Sequence, residues 1–568
     1  PWADFLLGAM TPDEAVRGLP TSTQFIPLQE ANTEMYALYV QDDFKINSKL
    51  TLNLGLRYEY EGGYWDSQYR LPQRLDLHDP IPGMQEAIAP IMASTPAGNT
   101  GKAVAQLMAE STRQNSHIYN GAFYYTEEDN TRATSSDPLQ LMPRVGLAYR
   151  LDDKTAIRVG FGRFYTPPAL TDSGNEPLGQ YDLGSGFAPI TNGLPLSEGR
   201  PQAFLSDPFP QGLTPIVGKA FGRFTSLGDN VTIDQYERRP PISDRITLSV
   251  QREIWGRTVV DVTYLMNFAR RNLLTLPLNM MDPRLAYTYQ GELDQDVPNP
   301  FFNYGSEDTF PGELRRQPTV SLGTLLRPYP QYGDIAQTSS DVGARYRFQS
   351  FQFRLQRPFH NGVVFLLSYA YNREKSEQFY DEVDTYDRVL TWQESTSPRH
   401  RVVASASLEI PVGRDRRFLA DMPNALDLVL GGWQLSGTYW YRSGEFLRFD
   451  GMLAPESVRK IGGTGSDELW FDTSGFDRLP AYTRRSNPWQ YGSLTGPTFS
   501  NLDAVVSKRV SLPGGTRLEF RLEAYNALNQ MVWANPNMSV TSSDFGRTNA
   551  HRLGNLGRRL QYALRLEF

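Results

Sequence analysis

Side chains that commonly do chemistry are few in this sequence and widely scattered. The five histidines stand singly, without metal-ligand spacing, and we interpret each as a surface or loop residue; they are His78, His117, His360, His400 and His551. There are no cysteines, which excludes zinc–thiolate sites, disulfides and thiol nucleophiles. The sequence contains no nucleophile elbow, phosphate-binding loop or zinc-protease helix motif. We therefore predict a protein that is not an enzyme and holds no cofactor or metal.

Two acidic stretches, at 127–129 and 381–387, are the remaining candidates for a cation site. Neither follows the twelve-residue calcium loop, which needs regularly spaced oxygen ligands and a central glycine. We favour solvated acidic loops over calcium sites for both. The aromatic run Phe123, Tyr124 and Tyr125 has two interpretations, stacking on a sugar or peptide or sealing one loop against another. We favour the second.

The composition favours strands joined by large turns and loops. The chain has 568 residues, of which 12% are aromatic, with 47 Gly and 40 Pro, residue types that suit strands and turns. Its longest apolar run, Val363 to Tyr371, has the length of a strand and contains Ser368, whereas a membrane helix needs roughly 18 apolar residues. The formal net charge of −7 comes without a basic block, so nothing indicates a nucleic-acid partner.

Apolar residues recur at every second position along the whole chain, which is the period of a β-strand. In the segment 49–60, leucines and tyrosines fall on one face and polar or charged residues on the other. The segment 516–524 repeats the division, with four apolar residues opposite alternating arginines and glutamates. A face that is continuously apolar and aromatic is typical of strands that contact lipid.

This alternation predicts about thirteen strands. They are 34–44, 48–60, 142–151, 154–165, 244–255, 258–270, 345–357, 361–373, 399–410, 433–449, 502–511, 516–527 and 557–568. In the strand 345–357 the apolar positions change parity, and we predict a β-bulge near Gln349 and Ser350 that would produce the change.

The connections between these strands alternate between short and long. Short turns are predicted at 45–47, 152–153, 256–257, 358–360 and 512–515, and the segment 411–432 is an intermediate case on their side. Long connections are predicted at 61–141, 166–243, 271–344, 374–398, 450–501 and 528–556. Short turns at one end and long loops at the other are the asymmetry of an outer-membrane barrel, whose long loops are extracellular. The predicted fold class is all-β, a transmembrane antiparallel outer-membrane β-barrel.

The two faces assign roles to particular side chains. Tyrosines on the apolar parity, near strand ends, are predicted to form the aromatic girdle at the membrane boundary; they are Tyr58, Tyr60, Tyr149, Tyr165, Tyr369, Tyr371, Tyr439 and Tyr441. Charges on the opposite parity are predicted to face the lumen, where they would hold a plug or line a channel; they are Arg57, Glu59, Arg144, Arg158, Arg517, Glu519, Arg521 and Glu523.

The last predicted strand alternates up to an aromatic C-terminal residue. Its apolar positions are Leu560, Tyr562, Leu564, Leu566 and Phe568. The pattern resembles the C-terminal signal read by the barrel assembly machinery, and we interpret it so. If the C-terminus is periplasmic, the strand 34–44 descends and residues 1–33 form an extracellular loop region. Thirteen strands that start outside cannot close a single-chain barrel, so we expect further strands upstream.

Several segments carry a family resemblance. Residues 36–45 and 50–59 read YALYVQDDFK and LTLNLGLRYE, and they resemble the "YVQDDWK…LTLNLGLRYE" pattern of TonB-dependent receptor barrels, closest to the Oar-like branch. Further matches lie at 4–8, 431–437 and 523–529. The resemblance implies a 22-stranded barrel preceded by a plug domain and a TonB box. This chain would then be the C-terminal portion, because neither the plug nor the TonB box is recognisable in it.

The resemblance and the loop asymmetry together favour energised transport across the outer membrane, with TonB acting through the missing N-terminal region. Alternatives remain open: a structural or surface-anchoring barrel, one chain of a larger envelope complex, or a passive channel. Expected partners are outer-membrane lipids, TonB and the barrel assembly machinery, with a surface lipoprotein or another envelope protein as a further candidate. The expected location is the bacterial outer membrane, and the sequence does not identify the substrate.

Overall fold

A large antiparallel sheet dominates the computed structural model of the protein. The structure describes residues 9–10, 22–24, 30, 32–166, 190–192, 203–204, 206–213, 218–237, 239–414, 416–465, 467–512, 515–551 and 557–568. Within them the sheet has 15 strands, 13 of which follow in chain order, each hydrogen-bonded to the one before.

Each of the thirteen corresponds to one strand predicted from the alternation. They are β1 (Met35–Lys45), β2 (Leu50–Glu61), β3 (Asp137–Arg150), β4 (Thr155–Tyr165), β5 (Ile242–Glu253), β6 (Val259–Pro277), β7 (Ile335–His360), β8 (Val363–Phe379), β9 (His400–Glu409), β10 (Trp433–Arg442), β11 (Phe499–Ser511), β12 (Arg517–Tyr525) and β13 (Arg559–Glu567). Two short strands join the sheet beside them: Val231–Asp234 pairs in parallel with β7, and Leu390–Glu394 pairs with β8.

The register shows why the alternation predicts these strands. Leu54 of β2 lies opposite Val145 of β3, which lies opposite Phe161 of β4, which lies opposite Ile246 of β5. Paired residues in an antiparallel sheet point to the same face, so this apolar row continues across four strands. We call this face, which also carries Leu522 of β12, the outer face, and the opposite one the inner face.

The predicted β-bulge near Gln349 and Ser350 is wrong. From Tyr346 to Arg357 the register of β7 against β8 runs without a shift. Strand β7 has 26 residues, on the order of 85 Å at about 3.3 Å per residue, which is far more than an apolar band of about 25 Å can cover. The change of parity marks where β7 leaves that band. Above it, the outer face carries Arg347, whose guanidinium stacks 5.4 Å from the ring centroid of Trp392.

The predicted loop asymmetry is present between the described strands. Short connections join β1 to β2, β3 to β4, β5 to β6, β7 to β8 and β11 to β12, and long ones join the other pairs, except that β9 and β10 are joined on the short-turn side by the intermediate connection 410–432. The long connection between β6 and β7 is shorter than predicted at both ends, because β6 extends to Pro277 and β7 starts at Ile335. Strand β10, by contrast, ends at Arg442, seven residues before the predicted boundary of 449.

The long connections contain helices and small sheets. The helices are α1 (Met84–Ser94), α2 (Val104–Met108), α3 (Pro283–Tyr289), α4 (Leu322–Leu325) and α5 (Glu382–Asp387), and α6 (Asn424–Leu430) lies in the 410–432 connection. Single 3-10 turns occupy Gly222–Phe224, Gln290–Asp294 and Glu313–Arg316. Two-stranded sheets pair Pro72–Pro80 with Asn120–Tyr125, Asp296–Pro298 with Thr319–Ser321, Met452–Leu453 with Asp477–Arg478, Ala9–Met10 with Ala203–Phe204 and Ser22–Gln24 with Ile190–Asn192. Among the described residues, no helix is both long and apolar enough to cross a membrane.

The buried apolar core lies in these connections rather than in the sheet. A large lobe combines parts of 71–126, 224–234 and 278–335, and its fully buried side chains include Met84, Phe301 and Tyr332. A small lobe combines 446–496 with 532–548 around Phe449 and Phe471. The alternation of apolar residues predicts these connections only as loops. Most of the segment 1–33 lies outside the described residues, so the prediction of an extracellular loop there is untested.

Candidate functional site

The first four predicted lumen charges lie on the inner face of neighbouring strands. Arg57 and Glu59 of β2 form an ion pair of 2.5 Å. The guanidinium of Arg144 lies 5.2 Å from the ring centroid of Phe164, and Arg158 donates a hydrogen bond of 2.9 Å to Gln251. These charges therefore have partners on the same face, as a water-accessible but ordered surface requires.

The other four predicted lumen charges lie on β12, at the opposite end of the sheet. Arg521 pairs with Glu523 at 2.8 Å, and Glu519 pairs with Arg509 of β11 at 3.5 Å. Arg517 lies opposite Glu567 of β13 in the register. The structure thus places the eight charges in two groups, on β2–β4 and on β12, and not in a single cluster. Whether they contact a plug stays a prediction.

Between these two groups the inner face carries small hydroxyl side chains. Ser405 and Thr438 lie 3.1 Å apart, and Ser407 and Ser436 lie 2.8 Å apart across β9 and β10. Gln434 donates a 2.7 Å hydrogen bond to Ser407. They help line a recess of about 980 Å³. Small, mutually hydrogen-bonded groups leave room for another chain or a solute to approach the strands closely.

All eight tyrosines of the predicted girdle are on the outer face. Tyr149 lies at the end of the sheet with the short turns, and the other seven lie towards the end with the long connections. The ring of Tyr60 lies 6.3 Å from that of Tyr36, and the hydroxyl of Tyr369 lies 2.9 Å from Nδ1 of His400. An amphipathic ring with its hydroxyl near a polar partner suits a membrane boundary, so the girdle remains our prediction for these residues.

The alternating C-terminal strand also carries its apolar residues on the outer face. Leu560, Leu564 and Leu566 lie opposite Ala524, Phe520 and Leu518 of β12. Tyr562 and the terminal Phe568 are exposed as well. The row therefore continues the apolar surface of β12, and its role as an assembly signal stays a prediction.

The aromatic run at 123–125 seals one connection against another, as predicted, because Phe123 and Tyr125 are buried in the large lobe. Tyr124 is exposed, stacks on Arg74 and donates a hydrogen bond to Asp79. In the described residues, no group of three or more His, Asp or Glu side chains is arranged to hold a metal ion.

The acidic stretch 381–387 is not simply the solvated loop that we predict from its sequence. It forms α5, and the buried Asp381 carboxylate caps its first turn by accepting from the backbone N–H of Asp384 at 2.9 Å. Arg484 donates to the same carboxylate at 2.7 Å. Burial opposes the charge on Asp381, but these hydrogen bonds outweigh it and hold its pKa below the usual value. The spacing of Asp381 and Asp384 is a capping signal that sequence reasoning could have used.

Through α5 the connections bind one another. Asp387 pairs with Arg284 of α3, and Glu382 accepts a hydrogen bond from Tyr287 of the same helix. Arg284 also contacts Asp282, whose carboxylate accepts from Thr112 at 2.8 Å. Segments more than 90 residues apart in the chain are thereby joined above the sheet. We call the surface that the long connections form above the sheet the outer surface, as distinct from the outer face of the strands. It is a connected structure and not a set of independent loops.

One recess in this outer surface is lined by charged side chains of both signs. They are Arg74, Arg113 and Arg388 together with Asp76 and Glu237, and the recess has a volume of about 790 Å³. Burial lowers the pKa of Arg388, and the charge of Arg113 nearby lowers it further.

Taken together, an antiparallel sheet with a lipid-suited outer face, a polar inner face and asymmetric connections defines a transmembrane β-barrel of the outer-membrane class. The family comparison agrees: residues 1–561 match the model of the outer membrane beta barrel domain, and the chain belongs to this family. The protein is therefore a bacterial outer-membrane protein.

Several solved structures resemble the chain distantly. The outer membrane transporter YddB from Escherichia coli is 10% identical with a TM-score of 0.38, and the match covers 95% of this chain and 54% of that one. The pyoverdine receptor FpvA from Pseudomonas aeruginosa PAO1 is 9% identical with a TM-score of 0.36, covering 95% and 43%. The ferric-catecholate import receptor Fiu from E. coli K12 is 10% identical with a TM-score of 0.35, covering 89% and 42%.

The chain thus spans about half the length of these structures or less. No curated protein matches it.

Proposed function

We propose that this chain forms the barrel portion of a TonB-dependent outer-membrane transporter, which takes up a substrate that reaches it from outside the cell. The observation that carries the proposal is the connected outer surface. Two lobes with their own buried cores stand over one end of the sheet, and α5 with its cap residue Asp381 joins them by pairing with Arg284 of the large lobe and Arg484 of the small lobe. A passive channel needs a clear entrance more than a large ordered surface, whereas a receptor needs a surface that binds.

The inner face supports the same function. Its charges are paired within and between neighbouring strands, as in the ion pairs of Arg57 with Glu59 and of Arg521 with Glu523. Such a face can hold a plug domain through hydrogen bonds that are exchanged when the plug moves. Transport of this kind is a conformational process, and none of the residues named above acts in it as a catalytic group.

In the proposed orientation the long connections are extracellular, and the short turns and C-terminus are periplasmic. The recess at Arg113 and Arg388 then opens among the outer connections, where cargo would first bind. We propose that further strands, which the family resemblance implies, complete the barrel, and that TonB acts on a plug outside this chain.

The test uses the full-length protein purified from outer membranes. Its intact mass and N-terminal sequence are determined, and its binding to the purified periplasmic domain of TonB is measured by biolayer interferometry. We expect saturable binding, a mass well above 64.2 kDa and upstream peptides that read as a plug with a TonB box. A protein that does not bind TonB would overturn the proposal in favour of the structural or surface-anchoring barrel.

A further inference from the structure

The connection between β9 and β10 is unusual for the short-turn end of the sheet. It runs from residue 410 to 432 and contains α6, none of whose seven residues is buried. Six large apolar side chains in this connection are between 43% and 62% exposed; they are Phe418, Leu419, Leu426, Leu428, Val429 and Leu430. So much apolar surface on one short segment indicates that something apolar covers it.

The C-terminal end of α6 lies on the outer side of the sheet. Trp433 and Lys508, which face each other across β10 and β11, are on the outer face. The indole Nε1 of Trp433 donates a 2.9 Å hydrogen bond to the carbonyl oxygen of Val429. The Lys508 ammonium donates to the carbonyl oxygens of Val429 and Gly431 at 3.1 and 2.6 Å. Both side chains project from the outer face, so the carbonyl groups to which they donate lie on that side of the sheet.

The helix therefore adjoins the membrane-facing surface of the strands. The next outer-face residues above Trp433 and Lys508 are Leu435 and Val506, which lie opposite each other and belong to the apolar band. The Lys508 ammonium also lies 4.8 Å from the ring centroid of Trp433. A tryptophan and a lysine at the end of an apolar band mark the membrane boundary, because each has an apolar body and a polar tip.

The charges of the connection balance. It contains three arginines, at 414, 416 and 417, and three aspartates, at 415, 421 and 427. The Asp427 carboxylate accepts a 2.7 Å hydrogen bond from the backbone N–H of Arg414, and Arg416 pairs with Glu409 at 3.1 Å. The exposed apolar side chains, and not a net charge, therefore distinguish this connection.

We propose that residues 418–430 form an interfacial anchor that binds the phospholipid surface of the membrane leaflet at the short-turn end. Its apolar side chains enter the boundary between headgroups and acyl chains. The partner is the lipid surface itself. The proposal rests on the membrane position of the strands and not on transport, so it stands or falls separately from the proposed function.

Because these 568 residues contain no cysteine, an introduced cysteine is the one site within them for a nitroxide label, and the unsubstituted full-length protein gives the background labelling. The variants Leu426→Cys and Val429→Cys are made in the full-length protein and reconstituted into phospholipid bilayers. Leu435→Cys on the outer face of β10 is the lipid control, and Asp153→Cys in the turn between β3 and β4 is the water control. Electron paramagnetic resonance then measures the accessibility of each label to oxygen and to a water-soluble nickel chelate.

We expect the labels at 426 and 429 to relax faster with oxygen than with nickel, as at 435, and the label at 153 to do the reverse. Labels at 426 and 429 that respond to nickel as the label at 153 does would show that the helix is in water. Labels shielded from both reagents would show that protein covers it. Either result would overturn the proposal, and a heat-modifiable band on gels checks that each variant is folded.

Discussion

Glu394 shows how single residues hold the outer surface together. Its carboxylate accepts hydrogen bonds from Arg373 at 2.6 Å, Lys375 at 3.1 Å and Arg399 at 2.7 Å. Burial opposes its negative charge, but the hydrogen bonds from the three cations outweigh this and lower its pKa to about 2. It thus ties the strand 390–394 to the end of β8 and to the start of β9, beyond the part of these strands that crosses the membrane.

We predict that Glu394→Gln lowers the local stability of the upper part of β8 by about 1–2 kcal/mol, because charge-assisted hydrogen bonds are lost and three cations remain. Hydrogen–deuterium exchange of the backbone amides at 372–379 measures the change. The control is Glu307→Gln, whose side chain is 74% exposed and pairs only at 3.8 Å with Arg316. Equal exchange in both variants would show that the contacts between Glu394 and the three cations do not stabilise the upper part of β8.

The same carboxylate gives the outer surface a pH dependence with a definite sign. The folded pKa of about 2 lies below the ordinary value of 4.5, so the folded state favours the ionised form. The stabilisation from Glu394 is therefore complete above about pH 4.5 and is lost as the pH falls towards 2. Exchange at 372–379 should rise across this window in the wild-type protein and remain flatter in Glu394→Gln.

At the scale of elements, the small lobe depends on close backbone contacts with the end of β10. A Cβ atom on Gly444 would lie 1.8 Å from the carbonyl oxygen of Gly496, which is backbone and cannot rotate away. The amide of Gly496 donates a 2.8 Å hydrogen bond to the carbonyl oxygen of Glu445, so the two segments are in direct contact. Only glycine permits this approach at position 444.

We expect Gly444→Ala to destabilise the small lobe by about 1–3 kcal/mol, because the added methyl group forces the two backbones apart. Limited proteolysis of the 450–496 segment, measured as a rate, reports the change while the sheet stays intact. The matched control is Gly492→Ala in the same lobe, where a Cβ atom meets nothing within 4 Å. If the two variants are cleaved at the same rate, the close contact does not limit the stability of the lobe.

At the scale of the whole molecule, the sheet separates a surface of lobes from a surface of short turns. We predict that a membrane-impermeant maleimide labels Glu307→Cys on intact cells, because this residue belongs to the long 278–334 connection and is exposed. Asp153→Cys, in the turn between β3 and β4, should be labelled only after the cells are broken. If the maleimide labels Asp153→Cys but not Glu307→Cys on intact cells, the orientation is the reverse of the one proposed.

The positions of the strands were largely readable from the sequence. Alternation at period two predicts a strand wherever one face meets lipid, since a shift of one residue would move every apolar side chain into water. Tyr58 and Leu54 therefore lie on the face that the pattern assigns to them. The pattern misled where β7 rises above the apolar band, because there the outer face no longer has to be apolar. Arg347 and Gln349 occupy it.

The lobes and the recesses could not be predicted from the sequence in this way. Arg113 reaches the backbone of Tyr386 across 273 positions, and Asp282 contacts Thr112 across 170. No local period records which distant segments meet, and irregular segments lack the repeating faces from which a neighbour could be inferred.

The sequence by itself therefore determined the strands, their two faces and the end that carries the long connections, because a membrane imposes one repeated condition on every crossing. Only the tertiary structure decided that the long connections form two cored lobes, that α5 joins them, and that α6 docks on the outer face through Trp433 and Lys508. These features depend on contacts between distant segments, which exist only once the chain has folded.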